Sequence, residues 1–166
     1  AMNPCPCGNY GSRITPCRCT AQQIQRYRNR ISGPMLDRID IHVEMGEVGY
    51  NDIAGRSCGE PSSAIRARVN AARAIQTRRY AGMGILFNAQ LTNRMINQYC
   101  VLTSDAESLM KKAFAALKLS ARAYTRLLKV SRTIADLAGS EQIKAEHIAE
   151  AIQYRSLESK YWGEIK

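Results

Sequence analysis

The chain has 166 residues, 24 Lys and Arg against 14 Asp and Glu for a formal net charge of +10, and 45% hydrophobic residues with two Phe and one Trp. That length suits one ordinary domain or two small units around an aliphatic, Ala-rich core. Its apolar runs fall far short of the ~20 residues of a membrane span, and no charged-then-apolar leader opens it. A soluble, cytoplasmic protein with no membrane partner is expected. The Arg-rich excess leaves two readings open: a solvated basic surface, or a phosphate-bearing partner such as nucleic acid or nucleotide.

Residues 3–19, NPCPCGNYGSRITPCRC, hold four of the six cysteines as two C-x-C pairs and read as loop. Two thiolates two residues apart can grip one ion, and four sulfurs match the closed tetrahedral site of structural Zn²⁺. Cys5, Cys7, Cys17 and Cys19 are the candidate ligands, with Arg13 and Arg18 able to offset part of the charge. Free thiols, a disulfide and, less well matched by the spacing, an Fe–S cluster are the alternatives. Four protein ligands leave no open position, so such a site is structural.

Thr20 is a good N-cap for a helix with Ile24, Tyr27 and Ile31 on one face and Arg26, Arg28 and Arg30 mostly off it. Ser32–Pro34 stops it. Ile39–Met45, IDIHVEM, alternates and predicts a half-buried strand with Ile39, Ile41, Val43 and Met45 on the apolar side. Residues 46–61, with Gly46, Gly49, Gly55 and Gly59, read as a linker, and Cys58 within it looks incidental.

The remainder predicts helices. Ser62 or Ser63 caps the first, which carries Ile65, Val69, Ala72 and Ile75 among Arg66, Arg68, Arg73, Arg78 and Arg79 and ends near Gly82. A short helix runs from Thr92 to Tyr99, and Cys100 after it reads as a small core residue. Ser104 and Glu107 form a capping box for a helix with Leu109, Met110, Ala113, Phe114 and Leu117 inward. Ser120 caps the next, with Leu119 and Tyr124 as a hydrophobic staple, Leu127, Leu128, Ile134 and Leu137 inward, and Gly139 just past its end. A last helix, about 145–155, buries Ile148, Ala151 and Ile152. The terminal SKYWGEIK is expected to fray. The domain reading is 1–45, a linker at 46–61, and a helical region at 62–166.

No self-contained active site is visible. There is no G-x-x-x-x-G-K-[ST] phosphate loop. His42 and His147 read as surface residues, and Asp37 and Asp40 as local salt-bridge partners of Arg38.

Three segments carry a resemblance: NPCPCG…CRCT…RYRNRISGPMLDRIDIHVE (3–44), LSARAYTRLLKVSRTIADLAG (119–139) and HIAEAIQYR (147–155). Together they resemble the C-terminal part of the bacterial ComM/YifB family, magnesium-chelatase-like AAA+ ATPases. The resemblance implies a mainly α fold. The end of an AAA+ α/β core, with the Cys-rich loop, a helix and a strand, would precede an α-helical lid at about 92–155. It also implies a ring, a hexamer of the chain's own subunits, with ATP and Mg²⁺ bound by the full-length protein. The phosphate loop and acidic metal-binding strand would precede residue 1, so this chain alone should bind ATP weakly or not at all.

By the same resemblance Asn3 corresponds to sensor 1, Arg38 of LDR-I-D to the arginine finger, and Arg122 of LSARAY to sensor 2. A finger supplied in trans is worth roughly 10³–10⁵ in rate. Where magnesium chelatase has an acidic NPEEG, this chain has NPCPCG, which sets it apart from porphyrin chemistry. The implied work is on DNA: homologous recombination during DNA uptake, by helicase-like branch migration. The basic helix 62–80 could serve DNA or subunit packing. Two other functions stay open, a stand-alone zinc-containing nucleic-acid-binding module and a helical interaction domain.

Overall fold

The computed structural model describes residues 1–50, 54, 59–155 and 157. Cys58, Gly55 and the terminal SKYWGEIK, singled out above, lie outside them. The described residues are mainly helical: α1 (Ala21–Arg28), α2 (Gly33–Leu36), α3 (Ser62–Arg79), α4 (Asn93–Tyr99), α5 (Ser104–Ala116), α6 (Ala121–Leu137) and α7 (Ala145–Gln153), with a 3₁₀ turn at Asn88–Gln90.

Helix α6 is the axis of the fold. Its 17 residues span about 26 Å and bury Ala123, Leu127, Leu128, Ser131, Arg132, Ala135 and Asp136. This is the three-and-four spacing of a core-facing stripe. Helices α3, α4 and α7 and the 3₁₀ turn all pack on it, and α5 packs on α7. One core joins them, built from Tyr80, Leu91, Ile96, Met110, Leu127, Ile143 and Ile148 among others. Cys100 lies in it as expected, and burial pushes its thiol up to about 11. A parallel bridge between Leu102 and Ile143 ties the α4–α5 connection to the entry of α7.

The expected ends of α1 and α6 are present. Thr20 and Gln23 make a reciprocal capping box, and the Ser120 hydroxyl accepts from the Ala123 N–H at 3.1 Å. At the far end of α6 the Ser140 N–H reaches the Ala135 carbonyl (2.8 Å) and the Gly139 N–H the Asp136 carbonyl (3.1 Å). That is a Schellman closure, and it needs the positive φ of Gly139, +67°.

Several expectations are corrected. Residues 39–45 bend at Asp40 and join no ladder among the described residues, so no strand forms. Three of the four residues on the apolar side face outward: Ile41, Val43 and Met45 are 47%, 66% and 85% exposed, while Ile39 and His42 are half-buried. An alternating pattern buries a face only when a neighbouring strand or layer covers it. Helix α3 begins at Ser62 behind Pro61, without a side-chain cap. Its first turns project into solvent, which exposes Ile65 and Val69. Thr103, not Ser104, caps α5 by accepting from the Ala106 N–H, and Glu107 pairs with Lys111 instead. Phe114 and Leu137 are exposed, although the Phe114 ring meets Tyr124 edge-on at 6.0 Å. Arg28, assigned to the outer face of α1, is buried. His147 is buried too; its Nδ1 accepts the Lys144 N–H at 3.0 Å, so it closes the start of α7, and burial lowers its pKa.

Candidate functional site: a cysteine cluster and an arginine edge

The Cys-rich loop is folded by two tight reversals. The Gly8 N–H reaches the Cys5 carbonyl and the Ser12 N–H the Asn9 carbonyl, both at 3.1 Å. Gly8 and Gly11 both sit at φ +83°, a region costly to any residue with a Cβ. The Ser12 hydroxyl then accepts from the Ile14 and Thr15 N–H groups at 3.1 and 2.9 Å. These turns bring Cys5, Cys7, Cys17 and Cys19 together, every sulfur within 4.8 Å of the others. The Cys5–Cys7, Cys5–Cys17 and Cys7–Cys17 separations are 3.4, 3.7 and 3.6 Å. A tetrahedral ion with bonds of about 2.3 Å sets its sulfurs roughly 3.8 Å apart, whereas a disulfide needs about 2.05 Å. The donor set therefore fits a metal.

Its electrostatics point the same way. Backbone N–H groups of Asn9 and Arg18, with the Cys5 thiol, lower the Cys7 thiol to about 6. Burial, then the neighbouring thiols, pushes Cys19 up to about 12. Crowded sulfurs without a cation let one take the charge at the expense of the rest, and a divalent cation removes that conflict. Arg28 fastens the cluster to α1: its Nε donates to the Pro4 carbonyl at 3.2 Å and its guanidinium lies 4.6 Å over the Tyr10 ring. Asn3 is exposed beside the first turn, its amide 3.7 Å from where a Cβ on Gly8 would stand.

The second candidate region is the edge bearing Arg38. Helix α2 follows Ser32 with Pro34 in its first turn, and Arg38 leaves its end with an exposed side chain whose Nη1 donates to the Pro34 carbonyl at 3.3 Å. The flanking acids do not pair with it, contrary to the expectation of local bridging. Asp37 accepts from the Ser120 hydroxyl at 3.1 Å and from Arg155 at 3.5 Å. Asp40 pairs with Arg126, whose Nη1 also donates to the Arg38 carbonyl at 2.8 Å. Arg155 reaches the Ile39 carbonyl at 3.4 Å, and the His42 N–H reaches the Tyr154 carbonyl at 2.8 Å.

Arg122 is exposed in the first turn of α6, two residues past its Ser120 cap. With Arg126 and Lys129 it lines one wall of an open groove of about 500 Å³ between α6, the α7 end and residues 40–41. Their spacing places all three on one face. The structure thus brings the four cysteines together and sets Arg122 on the helix that holds the Arg38 segment. No hydrogen bond or ion pair joins Asn3, Arg38 and Arg122 to one another among the described residues.

The sequence reading missed a buried polar network. Asp136 accepts from Arg132 Nε at 3.0 Å, from Arg79 Nη1 at 2.9 Å and from Asn88 Nδ2 at 2.8 Å. Asn88 also accepts the Tyr80 hydroxyl at 2.7 Å. Burial works to discharge Arg132, and the Asp136 carboxylate opposes it. The available signal was the Arg132–Asp136 spacing of four, lying on the same stripe as Leu128 and Ala135.

These features define a helical unit preceded by a cysteine-braced loop, with an arginine edge between them. The chain belongs to the magnesium chelatase family. Residues 59–155 match the family described as magnesium chelatase, subunit ChlI C-terminal, and residues 1–53 match magnesium chelatase, subunit ChlI. It is 44% identical over 158 residues to competence protein ComM of Haemophilus influenzae, and 42% identical over 159 residues to the uncharacterized protein YifB of Salmonella typhimurium. An uncharacterized Mycobacterium tuberculosis protein is 32% identical over 155 residues. These alignments cover 93–95% of this chain but 30% of each relative, so the chain spans under a third of their length. The expected resemblance and the mainly helical fold are borne out. No helix among the described residues is long and apolar enough to cross a membrane.

Proposed function

We propose that this chain is the distal part of a ring-forming, magnesium-chelatase-like AAA+ ATPase that works on DNA. In this reading Asn3 is sensor 1, which positions the attacking water. Arg38 is the arginine finger, supplied to a neighbouring subunit's ATP and Mg²⁺, and Arg122 is sensor 2 in the lid. The cysteine cluster holds one structural Zn²⁺ that braces the loop after Asn3. The observation that carries the reading is the arrangement around Arg38. Both flanking acids are engaged by the lid, while its own guanidinium is exposed at the molecular edge. A cation held that way can meet a phosphate from outside the subunit, where γ-phosphoryl charge develops.

The name of the competence relative and the +10 charge support DNA as the working partner through recombination and branch migration. The test of the finger is Arg38→Ala in the full-length protein. ATP hydrolysis should fall by about 10³-fold or more with nucleotide binding intact, and loss of binding instead would count against the role. For DNA, the affinity of the full-length protein should fall steeply with salt, and a slope near zero would exclude phosphate contacts as the driver.

A further inference from the structure

The segment 37–40 is gripped almost residue by residue. Asp37 is held by Ser120 and Arg155, the Arg38 carbonyl by Arg126, the Ile39 carbonyl by Arg155, and Asp40 again by Arg126. All of these partners belong to α6, its cap or the end of α7. The lid leaves the Arg38 guanidinium alone; its Nη1 donates instead to the Pro34 carbonyl one turn back. A long, flexible side chain is aimed only as well as its backbone is fixed, and misplacing a reacting group by about 1 Å can cost 10²-fold in rate.

We infer that Arg126, Arg155 and Ser120 are positioning residues that aim Arg38, so that the lid of one subunit sets the finger offered to its neighbour. The inference rests on Arg38 acting as the finger. It adds a physical link between the lid and the finger. Ser120, which holds Asp37, stands two residues before Arg122 on the same helix end.

Arg126 and Asp40 make the better test pair, since both side chains are partly exposed and substitution there empties no core. In the full-length protein, Asp40→Arg and Arg126→Asp should each lower kcat for ATP about 10- to 100-fold. Nucleotide affinity and ring size by sedimentation should stay as in wild type. The exchanged double variant, with the ion pair rebuilt in reverse, should recover most of the lost kcat, which a merely structural lesion would not do. Asp40→Asn, which introduces no clash, should lower kcat with the thermal midpoint unchanged. Wild-type kcat in the single variants, or an exchanged pair as slow as the slower single, overturns the inference. Arg38→Ala belongs in the same series. If it abolishes hydrolysis while the Arg126 and Asp40 variants do not, only the aiming role falls; if it leaves kcat unchanged, the finger reading falls with it.

Discussion

Asp136 is the residue on which the helical unit turns. Its side chain has no solvent exposure and faces two guanidinium groups, one of them as deeply buried. Those contacts join the end of α3, the 3₁₀ turn and α6, and Arg132 continues to the Glu141 carbonyl at 2.6 Å, tying in the turn before α7. A buried ion pair adds little over an apolar pair of the same shape, but removing one partner strands the other charge at about 3–5 kcal/mol. Asp136→Ala should therefore destabilise the protein by about that amount in urea unfolding. A loss below about 1 kcal/mol would mean that water reaches Arg132 and that the network is not closed. Asp136 stood in plain view in the sequence, four residues after Arg132. The spacing alone cannot say whether such a pair lies on the wet or the dry side, because both faces of α6 carry arginines.

Helix ends show where local chemistry is readable and where it is not. Thr20 and Ser120 are themselves extended and each precede an amphipathic helix, and both cap as the sequence implies. At α5 two hydroxyls compete. The capping-box pattern favours Ser104, yet Thr103 takes the role because the Thr103 N–H is drawn back to the Ile143 carbonyl at 3.0 Å. That contact fixes Thr103 in the extended conformation an N-cap requires, and nothing within ten residues encodes it. Thr103→Ala should cost about 1 kcal/mol and Ser104→Ala close to nothing; thermal unfolding of both variants checks this, and the reverse order would restore Ser104 as the cap. The alternating segment 39–45 fails as a strand for the same kind of reason. Its pattern is genuine, but a strand exists only in company, and no partner strand lies among the described residues. Likewise the stripe of α3 was legible, yet only Ala72 and the C-terminal turn find a surface to cover.

At the scale of the molecule, two cores of different origin lie in one chain. The main apolar core draws its buried residues from positions 80–151, with none before residue 46. The region before residue 46 buries little: Cys5, Ile24, Arg28 and Leu36 are its buried side chains. Too few apolar groups are present there to offset the ordering of a Pro- and Gly-rich loop, which costs about 1–2 kcal/mol per residue. A metal bound at the four sulfurs would supply what the missing core does not, since binding to a site absent from the unfolded chain counts toward folding. The spacing of the cysteines made this centre legible from sequence, while Arg28, which couples it to α1, was hidden among the other arginines of the helix. Metal analysis of the protein purified under reducing conditions should find about one Zn²⁺ per chain. Its removal with a strong chelator should open residues 3–20 to proteolysis. The unfolding midpoint of the helical unit should stay where it was, because no side chain of the cluster enters that core. Loss of the helical unit's transition on chelation would show instead that the two cores fold as one, and a metal-free loop that resists protease would remove zinc as its brace.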